Sequence, residues 1–215
     1  MRQSPSPFMA SILIVPLLAV SLQACVEMAV VGAGAAALSA MDRRTTGAQV
    51  DDEGIELRAT NRISERFGKK VHVNVTSFNR SVLVTGEVPD ASTKAEIEKI
   101  ITGTANVRSV TNDLQVAGGS ALSSRAGDAT ITGKVKARFL DANKFNALHV
   151  KVVTEAAVVY LMGVVTESEA AAAVDIARTT GGVRKVVKVF EYCRPTDAVC
   201  APDRPRAGEP KKSGN

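Results

Sequence analysis

Between residues 71 and 88 apolar and polar positions alternate. Val71, Val73 and Val75 alternate with His72, Asn74 and Thr76; Val82 and Val84 then lead into Gly86-Glu87-Val88. A period of two predicts half-buried strands, and Asn79-Arg80 between the runs predicts a hairpin turn. The pattern returns as Leu148-His149-Val150-Lys151-Val152 followed by Gly163-Val164-Val165. The offset is 77 residues for His72/His149, Val73/Val150, Val75/Val152, Gly86/Gly163 and Val88/Val165. It is 76 upstream (Ile55/Ile131, Arg58/Lys134, Arg62/Arg138) and downstream (Val107/Val183, Val110/Val186). Two copies of one folding unit account for most of the chain.

Each copy reads α-β-β-α-β. In the first, Ile55, Ala59, Arg62 and Ile63 to Phe67 form a helical stripe that Gly68 ends. Gly86 falls at the end of the second strand, where a bulge or a close helix crossing excludes a side chain. Pro89-Asp90 opens a helix with Ile97, Ile100 and Ile101 inward, closed by Gly103, and Val107, Val110 and Leu114 carry a third strand. In the second copy Ile131, Val135 and Phe139 share one helix face, and strands follow at about 148–154 and 158–164. Thr166-Glu-Ser-Glu169 reads as a capping box before a helix from Ala170 to Ala177; Gly181-Gly182 ends it, and Val183 to Tyr192 forms the last strand. The fold class is α+β, with helices packed on a small three-stranded mixed sheet in each unit. The second sheet's other face carries Val153, Val158, Tyr160 and Met162, against Asn74, Thr76, Ser81, Leu83 and Thr85 in the first. A face that apolar is seldom left to water, so it packs on the first unit or on a partner.

The boundaries that follow are 1–24, 25–47, 48–116 for the first unit, 117–127 for a flexible Gly/Ser linker, 128–193 for the second unit and 194–215 for a disordered tail. Residues 1–24 read as a secretory signal peptide. Leu22-Gln23-Ala24-Cys25 resembles the lipobox of bacterial lipoproteins. That resemblance implies that Cys25 becomes the acylated first residue, and Val26 in place of an Asp implies sorting to the outer membrane. Residues 28–41 are apolar and small but too short to span a bilayer, which takes about 20 residues. They read as a membrane-proximal tether or a plain spacer.

Composition adds little beyond this. Apolar residues make up 45% of the chain and aromatics 4%, so the cores are built from Val, Ile, Leu and Ala. A formal charge of +5 suits an anionic membrane surface or nucleic acid and by itself decides neither. Nucleic acid is excluded as a partner by the scarcity of stacking aromatics and by the export signal.

The α-β-β-α-β unit, with Gly-x-Val ending its second strand and Gly-Val-Arg-x-Val entering its third, resembles the BON domain. Lipobox, small-residue tether, Asp42-Arg-Arg-Thr-Thr-Gly-Ala-Gln-Val-Asp-Asp52 and two such units together resemble the dual-BON outer-membrane lipoproteins. The resemblance implies a non-catalytic protein, lipid-anchored in the inner leaflet of the outer membrane and facing the periplasm. It implies binding of anionic phospholipid, phosphatidylglycerol in particular, through the first helix of the second unit, with support of envelope integrity and gathering at division sites. On this chain the helix places Thr130, Gly133, Lys134, Ala137 and Leu140 opposite its core side, with Lys136 and Arg138 flanking. A cationic rim around an apolar wedge suits anionic headgroups over acyl chains. Thr130 stands where a relative has an aromatic anchor. The competing expectation is a scaffold that docks an envelope protein.

Other candidate chemistry is sparse. Asp51, Asp52 and Glu53 read as carboxylates at a helix start, favoured by the helix dipole, rather than as a metal cluster. His72 and His149 read as one structural position repeated; as metal ligands they could meet only if the two units faced each other. No catalytic set, cofactor or metal site is expected. Cys193 and Cys200 form an even pair in an oxidising compartment, so a disulfide is expected ahead of free thiols or a metal.

Overall fold

A computed structural model describes residues 42–117 and 122–201. Cys25, the signal and tether segments, most of the Gly/Ser run and residues 202–215 lie outside the described residues. The unit that starts at Arg43 is compact and holds both copies. No helix among the described residues is long and apolar enough to cross a membrane.

The first copy opens with α1, Thr46–Phe67. Thr45 caps it by accepting from the Ala48 N–H, and Gly68 ends it at φ 56°. Strands β1 (His72–Phe78) and β2 (Ser81–Val88) form an antiparallel hairpin. Helix α2 (Ala91–Thr102) starts at the Asp90 cap. The chain then runs parallel to β2 as β3 (Ser109–Asn112) and β4 (Gln115–Val116). The expected third strand is thus interrupted: Leu114 turns into the core while Asp113 points to the other copy.

The second copy repeats the order as α3 (Leu122–Ala142), β5 (Lys151–Glu155), β6 (Val158–Val165), α4 (Glu167–Arg178) and β7 (Lys185–Tyr192). Its sheet is ordered β5-β6-β7, antiparallel then parallel. Residues 147–149 form a short 3-10 turn instead of the start of a strand. The Thr166/Glu169 capping box is present.

In each copy the helices cover one face of the sheet. Ile55, Ala59, Ile63, Ile97 and Ile101 pack on Val82, Val84 and Val88. Ile131, Val135, Phe139, Ala173 and Ile176 pack on Val159, Leu161 and Val165. The opposite faces meet each other: Phe78 and Leu83 pack against Tyr160, Met162 and Val164, with Val153 and Val158 at the margin. The apolar face of the second sheet is therefore covered by the first copy. Polar bonds frame this seam, from Tyr160 to Asp113 (2.7 Å), Asn79 to Glu191 (2.7 Å) and Lys151 to Glu56 (3.1 Å).

Three expectations change. Thr45 starts α1 one and a half turns before Asp51, so Asp51, Asp52 and Glu53 are mid-helix and do not serve the helix dipole. Residues 122–127 belong to α3 rather than to a flexible linker. Ser and Ala sustain a helix, and one Gly costs only about 1 kcal/mol there. Residues 194–201 are ordered: Cys193 and Cys200 are disulfide-bonded with Cα atoms 6.2 Å apart. Asp197 folds the loop by accepting from the Arg194 N–H at 2.8 Å. Gly86, for its part, meets a strand rather than a helix. A Cβ there would lie 2.0 Å from the His72 carbonyl oxygen, and one on Gly163 2.3 Å from that of His149.

Candidate functional site: the outward face of the third helix

Helix α3 buries Ile131, Val135 and Phe139 and hydrogen-bonds to the sheet through Thr132, whose hydroxyl lies 2.7 Å from that of Thr154. Phe145 stacks edge-on against Phe139, with ring centroids 5.0 Å apart, which fixes the chain leaving the helix. These contacts orient the other side outward. Thr130, Gly133, Lys134, Ala137 and Leu140 are all exposed there, and Leu140, at 69%, is the most exposed large apolar residue described. The Thr130 hydroxyl is turned back to the Ala126 carbonyl (3.0 Å). Nothing lies within 4 Å of where a Gly133 Cβ would be.

Lys134 and Lys136 are exposed and have no hydrogen-bond or ionic partner among the described residues. Arg138 differs. Its guanidinium donates to the Ile176 carbonyl and the Thr180 hydroxyl, both at 2.8 Å, at the C-terminal end of α4. There it satisfies helix-end acceptors, and the structure holds it apart from the outward set. Exposed Asp141 dilutes the positive charge of this face, and exposed Lys144 beyond the helix adds to it.

On α1 the equivalent side is apolar and differently charged. Val50 and Leu57 are exposed, but Arg58, Arg62 and Arg66 bond to the Ala105 carbonyl, the Gly103 carbonyl and Glu96. Its arginines are engaged within the copy, whereas Lys134 and Lys136 of α3 are not.

Two carboxylates hold the hairpins to the helices; the sequence reads Asp52 as a helix-start charge and does not single out Asp128. Asp52, 2% exposed, accepts from the Ser77 hydroxyl (2.6 Å), the N–H groups of Asn79 and Arg80 (both 2.7 Å) and Arg44 (2.8 Å). Asp128 accepts from the N–H groups of Ala156 (2.9 Å) and Ala157 (2.8 Å). Each carboxylate clamps the β-hairpin of its own copy from the first helix. Both hairpins turn through left-handed pairs, Asn79/Arg80 and Ala156/Ala157. Asp52 and Asp128 are 76 apart, the same offset as Ile55/Ile131, and that was the available signal.

The start of α4 is held from outside. Arg43 donates to both carboxylate oxygens of Glu169 (2.7 and 3.0 Å) and to the Val164 carbonyl (2.9 Å). Burial raises the Glu169 pKa, but Arg43 and the Thr166 N–H outweigh it and bring it to about 2. Across the seam, the hydrogen bond and charge of Glu191 push the Arg108 pKa up, and the same pairing lowers that of Glu191. His72 and His149 do not meet. His149 lies 3.5 Å from Glu169, and His72 lies 3.5 Å from Glu87.

Two stretches match the BON domain, residues 51–118 and 127–194. Over 173 residues the chain is 38% identical to the outer membrane lipoprotein DolP of Haemophilus influenzae, spanning 80% of this chain and 90% of that one. It is 31% identical over 154 residues to the 21 kDa hemolysin of Actinobacillus pleuropneumoniae, spanning 71% and 79%. It is 31% identical over 121 residues to the osmotically-inducible protein Y of Escherichia coli K12, spanning 55% and 60%.

Proposed function

Because this chain belongs to the BON-domain family, as a two-domain member of the DolP group, we propose that it is a non-catalytic outer-membrane lipoprotein. It is anchored through Cys25, faces the periplasm and reads anionic phospholipid with the outward face of α3. Envelope integrity, at division sites in particular, is the process it serves. The supporting observation is the contrast between the two first helices. Lys134 and Lys136 are unengaged beside exposed Leu140 on α3, while the arginines of α1 are bound to their own copy. Each basic side chain near an anionic surface contributes on the order of 1 kcal/mol, and Leu140 adds an apolar wedge. Thr130, Gly133 and Ala137 keep the face low enough for the helix to lie against headgroups. Arg138 contributes through the α4 end it holds.

The test is amide chemical-shift mapping of the unit from Arg43 onward with phosphatidylglycerol micelles. The expected result is perturbation confined to residues 130–144. Perturbation centred on α1, or none with any anionic lipid, contradicts the proposal. A second reading, a scaffold that docks an envelope protein, is favoured by exposed Val50 and Leu57 on α1. It predicts that a Leu57→Glu variant loses function while vesicle binding is retained.

A further inference from the structure

The seam between the two copies contains an electrostatic anomaly. Glu87 is opposite His72 in the β1–β2 register, and both project from the sheet face turned to the second copy. Glu155, at the end of β5, reaches the same place from that copy. One ligand atom from each of the three side chains lies within 4.8 Å of the others. Glu87 and Glu155 are more than nine-tenths buried. His72 Nδ1 and Glu87 Oε2 are both buried and make no hydrogen bond. They stand 3.5 Å apart, too far for the charge-assisted bond of about 2.8 Å that an imidazolium–carboxylate pair would form. Two buried carboxylates and an imidazole therefore converge with His72 Nδ1 and Glu87 Oε2 unpaired, an arrangement that burial penalises.

We propose that His72, Glu87 and Glu155 form a divalent-cation site of the zinc type that clamps one copy to the other. Tetrahedral zinc with bonds of about 2.0–2.2 Å keeps its donors roughly 3.3–3.6 Å apart. The His72–Glu87 pair has that spacing already, and a ligand atom of Glu155 lies within 4.8 Å of both. One imidazole nitrogen with two carboxylates suits zinc better than calcium or magnesium, which take all-oxygen shells. Three protein donors leave a fourth position for water. The outer shell exists too. Asn74 donates to Glu155 Oε2 at 2.7 Å and Thr85 at 3.5 Å, leaving Oε1 with no hydrogen bond from the described residues. Partners of this kind orient metal-binding carboxylates. The His72 side chain, one-fifth exposed, provides the entry path.

The second copy has not kept the site. Val164 stands where the 77-residue offset would place the equivalent of Glu87, and Arg43 occupies the carboxylate beside His149. The cation belongs to the seam, not to the BON unit.

The test uses the full chain in detergent, stripped with chelator and titrated with Zn²⁺ by calorimetry, followed by zinc-edge X-ray absorption of the one-to-one sample. The expected result is one site per chain with an affinity of about 10 μM or tighter. The absorption should report one imidazole, with oxygens at about 2.0–2.2 Å. His72→Gln and Glu155→Gln should each weaken binding at least about tenfold, while His149→Gln binds as the parent does. No saturable uptake by the parent at about 100 μM Zn²⁺, sulfur or two imidazoles around the metal, or loss of binding in His149→Gln alone would each overturn the proposal. The parent's titration and absorption decide the matter even where a substituted chain fails to fold.

Discussion

The hydroxyl of Tyr160 donates to a carboxylate oxygen of Asp113 across 2.7 Å, joining the central strand of the second sheet to the break in the third strand of the first. Tyr160 is 3% exposed, so this bond sits inside the seam where the two sheet faces meet. Burial first, then the hydrogen bond and charge of Asp113, push the tyrosine pKa upward.

Tyr160→Phe keeps the apolar contact with Phe78 and Leu83 but removes the donor to Asp113 Oδ2. The expected cost is about 1–2 kcal/mol, read as a lower denaturation midpoint with an unchanged slope. Because the folded pKa is raised, the contribution is complete below the unfolded value of about 10 and is lost as pH rises beyond it. In the parent, an alkaline absorbance titration should therefore show this tyrosine ionising only with unfolding. Ionisation of both tyrosines at the ordinary value in the folded protein would refute the buried seam.

Ala156 and Ala157 have φ of 49° and 61°, where an L side chain other than Asn or Asp is disfavoured by about 1–2 kcal/mol. Asp128 holds them there. Ala157→Gly should stabilise the protein by about 0.5–1 kcal/mol after the entropic cost of glycine. Asp128→Ala should destabilise it by about 2–3 kcal/mol, since two turn N–H groups lose a charged acceptor. Thermal midpoints of the two variants should move in opposite directions.

The bidentate Arg43–Glu169 pair gives an acid signature. Glu169 has a folded pKa of about 2, below its ordinary value. Its contribution is present above the unfolded pKa of about 4.5 and disappears as pH falls through the folded value. Arg43→Ala should therefore lower stability at neutral pH, by on the order of 1 kcal/mol. The gap to the parent should narrow as the pH is lowered from about 4.5 to 2. A gap that stays constant over that range would contradict the assignment.

Cys200 is buried against the seam cluster and faces the Val164 carbonyl, so the disulfide pins the segment after β7 onto β6. Reduction should cost about 2 kcal/mol for so short a loop. It should also raise hydrogen exchange at residues 194–201 before it affects α3.

The alternation of Val71 to Val75 and the 77-residue offset carried most of the fold. Strand period and repeated glycines are local signals, and the covered face of the second sheet follows from Tyr160 and Met162 being apolar on its far side. What failed to show was long-range polar wiring. A carboxylate such as Asp52, bonded to a turn about 27 residues away, leaves no periodic trace, so it read as a surface charge at a helix start. Arg138 fell on the flank of α3 by helical phase, but its partner is the end of another helix. The meeting of His72, Glu87 and Glu155 depends on which sheet faces abut, and two of the three come from one hairpin while the third comes from the other copy.

The most direct measurement is co-sedimentation of the unit from Arg43 onward with phosphatidylglycerol and, separately, phosphatidylcholine vesicles. The parent should bind the anionic vesicles, less so as salt is raised, and ignore the neutral ones. The double substitution Lys134→Glu with Leu140→Glu should abolish binding without a shift in thermal midpoint. Equal sedimentation of parent and double variant, or a parent that stays in solution with vesicles of either charge, would contradict the account.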